Sequence, residues 1–88
     1  MNWKIEVKPT AEKYYLKLDK KTRTRMKEAL RELENTDEPL LHPNVRALTG
    51  KLRGDFRLRV GKYRILFTPH IQKKILYVFA ILPRGDAY

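Results

Sequence analysis

The chain has 88 residues, no cysteine, and 20 Lys and Arg against 10 Asp and Glu, for a formal charge of +10. That length predicts one domain over residues 1–88 with a thin core, because a chain this short buries only about 60–65% of its unfolded surface. The missing thiols exclude a disulfide scaffold and a thiolate metal site, and no apolar run nears the ~18 residues of a membrane helix, so the expectation is a soluble, cytoplasmic protein.

Trp3, Ile5 and Val7 alternate with Lys4, Glu6 and Lys8, which predicts a strand stopping at Pro9. Thr10 is a candidate N-cap, and Glu12 then falls in the first helical turn, where a negative charge suits the macrodipole. Ala11, Tyr14, Tyr15 and Leu18 recur at helical spacing and predict a short helix over 11–18. Asp19 is placed to cap a second helix from Lys20 to Glu34, whose apolar stripe is Met26, Ala29, Leu30 and Leu33 on an otherwise charged surface. The two helices are expected to pack as a hairpin. Residues 35–44 hold two prolines and two asparagines and read as a loop. After it, Val45, Leu48 and Leu52 are spaced to reach the core, ahead of a turn at Arg53-Gly54-Asp55.

Phe56, Leu58 and Val60 alternate with Arg57 and Arg59, the period-2 pattern of a strand with one apolar and one polar face. Gly61-Lys62 has the Gly-X form of a type II′ loop, so a second strand should start at Tyr63 with residue 60 facing 63 and Arg59 facing Arg64. Like charges opposed across a ladder cost roughly 0.2–1 kcal/mol. Three guanidinium groups gathered on one face at that cost suggest a site for an anion. A turn over 69–73 leads to a last strand, 75–82, apolar on both faces and therefore expected inside the sheet. The sum is an α+β fold of order β-α-α-β-β-β, a helical hairpin on a small, mainly antiparallel sheet whose last three strands form a meander. Trp3, Tyr14, Tyr15, Tyr63, Phe67, Tyr77 and Phe79 are read as core residues rather than as a base-stacking platform. His42 and His70 are isolated and read as structural, with no basis for a metal site.

Charge is unevenly placed. Residues 19–38 balance to zero, whereas Arg46 to Arg64 hold seven basic residues against Asp55 alone. A local surplus of this size points to a polyanion, above all nucleic acid.

The helical pair, Leu48-Thr49-Gly50, the stretch Phe56-Arg57-Leu58-Arg59-Val60-Gly61-Lys62-Tyr63-Arg64-Ile65, and an apolar strand followed by Pro83-Arg84-Gly85 and Tyr88 together resemble the RelE/ParE toxin superfamily. Within it the chain looks most like the archaeal form of the RelE branch. The resemblance implies a toxin of a type II toxin–antitoxin pair that cuts messenger RNA in the ribosomal A site, inhibits translation, and is neutralised by a RelB-like antitoxin protein. It implies site roles for Arg57, Arg59, Arg64 and Arg84, and for Tyr88 as the C-terminal tyrosine. Where relatives carry lysines, positions 57 and 59 are arginine here.

Metal-free RNA cleavage by 2′-hydroxyl attack needs a base, charge stabilisation on the phosphorane and an acid. Arginine suits the second task, since its fork meets phosphate oxygens bidentately and stays charged; for the same reason it is a poor base. Tyr88 could orient the nucleophile or stack on a nucleotide, and no cofactor is called for. Lys51, Arg53 and Lys62 read as general phosphate contacts, with solvated loop charge as the plain alternative. Two rival functions stay open at this level: a ParE-like poison of DNA gyrase, and a nucleic-acid-binding module without catalysis.

Overall fold

The computed structural model describes residues 3–83 of the chain. Among these, β1 (Lys4–Val7) leads into α1 (Pro9–Leu16) and α2 (Lys20–Glu34); β2 (Val45–Ala47), β3 (Phe56–Val60), β4 (Tyr63–His70) and β5 (Ile75–Pro83) follow. The strands make one sheet in the order β1-β5-β4-β3-β2. β1 runs parallel to β5, and the other neighbours are antiparallel. The α+β class, the interior place of β5 and the β3-β4-β5 meander agree with the sequence reading.

Local signals set the helix ends, and α1 is displaced at both of them from the expected 11–18 to 9–16. α1 starts at Pro9 with Lys8 in the cap position, ahead of the expected Thr10 cap. Proline has no N–H to leave unsatisfied in the first turn, and its fixed φ suits the start of a helix. α2 has the expected bounds, and the Asp19 carboxylate accepts a hydrogen bond from the Thr22 backbone N–H at 3.4 Å. A hydrogen bond from the Thr22 hydroxyl is the main reason the Asp19 carboxyl is held below its ordinary 3.8.

β2 is the element the sequence reading lacked. It pairs with β3, setting Val45 opposite Leu58 and Arg46 opposite Arg57. Three residues are too few to display an alternation, so only the burial of Val45 was legible.

Both helices cover the same face of the sheet, α1 over β5 and α2 over β1 and β3. Met26, Leu33, Leu58, Ile65, Phe67, Leu76 and Val78 interlock there as the centre of the core, each at most 1% exposed. Trp3, Tyr14, Tyr15 and Tyr63 border this cluster, as read from the sequence. Tyr77 and Phe79 do not belong to it. They alternate with Leu76 and Val78 and so face the other way. The pairing of β4 with β5 then slips: Leu66 faces Ala80 but Phe67 faces Val78. Phe79 is the additional residue of a β-bulge, which leaves Phe79 and Ala80 together on the face away from the helices.

Candidate nucleic-acid interface

The site is built on the β3–β4 hairpin. Gly61 has φ +57° and Lys62 does not share a positive φ, the combination a type II′ loop requires. The hairpin closes with Val60 opposite Tyr63 and Arg59 opposite Arg64, the register expected from the sequence. Arg57 lies two residues along from Arg59 on the same face, opposite Leu66 on β4 and Arg46 on β2. Two like-charged pairs therefore sit on adjacent ladders, Arg59 with Arg64 and Arg46 with Arg57. Directly opposed residues have Cβ atoms only about 4.5–5.5 Å apart, so four cationic side chains are gathered on one face of the sheet.

Arg46 escaped the sequence reading because β2 did. Its guanidinium donates to the backbone carbonyls of Pro43 and Val45 at 3.0 and 3.1 Å. Arg57 donates to the carbonyl of Asn44 at 3.3 Å. The loop before β2 thus anchors two of the arginines. Arg59 is exposed, whereas Arg64 is half-buried and faces Leu82 on β5.

The predicted phosphate contacts divide. Lys51 sits on a 3₁₀ turn, Gly50–Leu52, at the rim of a cleft that Leu66, Phe79 and Leu82 also line, so it shares the arginine face. Arg53 is exposed at the end of that turn. Lys62 is exposed at the hairpin tip, where it borders a separate cleft with Lys21 and Arg25 of α2. Arg84 and Tyr88 lie outside the described residues; β5 ends at Pro83, opposite Tyr63.

No described side chain near the arginines is an evident base. The acid between Arg46 and Arg64 in the sequence is Asp55, whose carboxylate accepts from the Thr68 hydroxyl at 2.7 Å. His42 accepts from the Asn44 N–H through Nδ1 at 3.1 Å, leaving Nε2 to donate to Glu32 at 2.9 Å, and so ties the loop to α2. His70 accepts from the Lys73 N–H at 3.3 Å and shapes its turn. Among the described residues no group of three or more acidic or histidine side chains could hold a metal ion. No described helix is long and apolar enough to cross a membrane. Chemically, the face can grip phosphate and stabilise charge that develops on it.

Residues 5–88 match the family model described as the ParE toxin of type II toxin–antitoxin systems, parDE. The fold is similar to the archaeal RelE–RelB complex from Pyrococcus horikoshii at a TM-score of 0.80 and 26% identity, covering 99% of this chain and 100% of that one. The isolated E. coli RelE toxin is similar at 0.71 and 18%, covering 97% and 87%. The E. coli RelBE toxin–antitoxin complex is similar at 0.74 and 16%, covering 97% and 99%. No curated protein matches the sequence.

Proposed function

The chain belongs to the ParE toxin family of type II toxin–antitoxin systems, in the RelE-like branch of the RelE/ParE superfamily, and on that premise we propose that it is an endoribonuclease that cuts messenger RNA in the ribosomal A site. The observation that carries this reading is the Arg59–Arg64 pair, opposed across the hairpin with Arg57 on the same face. A sheet face that gathers guanidinium groups in this way suits a bound anion, and a phosphodiester is the anion a toxin of translation meets.

In this reading the 2′-hydroxyl attacks the adjacent phosphorus, giving a cyclic phosphate and a free 5′-hydroxyl. Arg57, Arg59, Arg64 and Arg84 stabilise the phosphorane, a task in which one well-placed donor is typically worth about 2.7–4 kcal/mol. Tyr88 orients the attacking hydroxyl or stacks on the nucleotide 5′ of the cut. Lys51, Arg53 and Lys62 hold neighbouring phosphates and carry no sequence preference. Arginine cannot take the 2′ proton, so the reaction leans on positioning, which can supply about 7–11 kcal/mol when the reacting atoms are held in line. The ribosome provides that hold, and free RNA is a poor substrate.

A RelB-like antitoxin completes the reading. Solved relatives include RelE–RelB complexes, and a surface with this local surplus of arginine favours an acidic partner.

Primer extension on a defined message in a translating extract tests the proposal: new 5′ ends within codons are expected, and uninterrupted translation with no new ends would defeat it. The ParE description of the matching family supports a second reading, a gyrase poison that cuts no RNA. Inhibition of gyrase supercoiling by a protein inert in the extract would establish that one instead.

A further inference from the structure

We propose that Phe79, flanked by Leu66 and Leu82, is a stacking platform for the nucleobase next to the phosphate that the arginines hold. The inference rests on the reading of the ligand as RNA and adds a subsite to it. Leu66 is only 2% exposed, yet it stands apart from the main core cluster, so it is buried from the arginine side of the sheet. The 3₁₀ turn Gly50–Leu52 borders the cleft there, and with Leu66, Phe79, Ala80 and Leu82 it lines an open hollow of about 530 Å³. That volume falls in the range of roughly 300–1,000 Å³ usual for small-ligand pockets.

Its position relative to the cations gives the cleft its meaning. Leu66 is the direct ladder partner of Arg57, and Leu82 that of Arg64. Neighbouring strands lie about 4.7–4.9 Å apart, so the apolar floor begins one strand away from the backbone positions of Arg57 and Arg64. A nucleotide has the same two-part form, an anion and a flat, weakly polar base separated by a ribose. Phe79 brings the one aromatic face among the cleft's described lining residues, and the β-bulge sets it beside the small side chain of Ala80. Bulges are over-represented next to functional sites, where they re-aim side chains. Phe79 is half-buried, so part of its ring is open to solvent in the cleft. Lys51 at the rim adds a cation for the base edge or the next phosphate.

The test uses fluorescence anisotropy with the full-length protein and a short oligoribonucleotide carrying a 2′-methoxy block at each ribose, alongside cleavage in the translating extract. Phe79→Ala should weaken binding about five- to hundredfold, the loss usual for one stacked base. Phe79→Leu, which keeps the apolar bulk and the fold, should lose nearly as much, and Phe79→Tyr should restore it. Replacing one nucleotide with an abasic one should weaken binding to the unmodified protein and leave binding to Phe79→Ala unchanged. If Phe79→Leu binds and cuts as the unmodified protein does, the subsite is overturned while the nuclease reading stands. If the unmodified protein neither binds nor cuts RNA, both fall. If Phe79→Leu loses only antitoxin binding, the cleft is a protein-docking surface and the proposal fails.

Discussion

At the scale of single residues, Arg59 offers the cleanest separation of chemistry from stability. It is exposed, so its removal takes little packing with it, and it relieves the repulsion from Arg64. Arg59→Gln should therefore cut ribosome-dependent cleavage by about 10²–10³, the usual loss for one donor to developing charge. The same change should leave stability equal or higher by roughly 0.2–1 kcal/mol, measured by urea unfolding at low salt. Arg64→Ala should lose as much activity but also some stability, because its side chain is half-buried against β5. Asp19 offers a titration. Its carboxyl is held below 3.8 in the fold, mainly by the Thr22 hydroxyl, so its contribution to α2 is full above that value and fades as pH falls through the depressed one. Asp19→Ala should lower the thermal midpoint at pH 7, and the gap between variant and parent should close toward pH 2, followed by circular dichroism.

At the scale of elements, the hairpin depends on one backbone conformation. Gly61 has φ +57°, and a Cβ added there would have the Arg25 guanidinium as its nearest neighbour, at 3.6 Å, which is ordinary contact. The cost of Gly61→Ala is therefore backbone strain, of order 1 kcal/mol, and it should appear in urea unfolding together with reduced cleavage as the arginine register loosens. In α2, Leu33→Ala should cost about 2–5 kcal/mol, since the side chain is fully buried under the sheet. How much of this the sequence disclosed follows from the range of each signal. The Gly61-Lys62 turn made the Arg59–Arg64 pairing legible, because a two-residue loop leaves one register. The bounds of α2 were legible for a similar reason, a cap and a long stripe in one window. Arg46 was not, because β2 is specified by pairing with β3 and by nothing of its own. Phe79 was misplaced because Val78 to Leu82 is uniformly apolar, and only the slip against β4 shows which side chains turn outward. The cap of α1 moved from Thr10 to Lys8 because Pro9 offers a competing start signal.

At the scale of the whole molecule, charge governs encounters. Between Arg46 and Arg64 the balance is seven to one in favour of cations, and most of these line one face or its rim. Binding to ribosomes should weaken steeply with salt, and each arginine removed from this face should lower the slope of log K against log salt by about 1, measured by co-sedimentation. The topology adds a constraint of another kind, one of timing. β1 lies alongside β5, pairing residues 4–7 with 75–78, so the sheet joins nearly the two ends of the chain. Contacts of such separation form late, and a domain built by a ribosome cannot make them before the later strand has been synthesised. The β3–β4 hairpin can close on its own, but the strand that flanks Arg64 and supplies Phe79 comes last of all. A half-made chain thus lacks the completed arginine face, and under the proposed function it could not act on the ribosome still producing it.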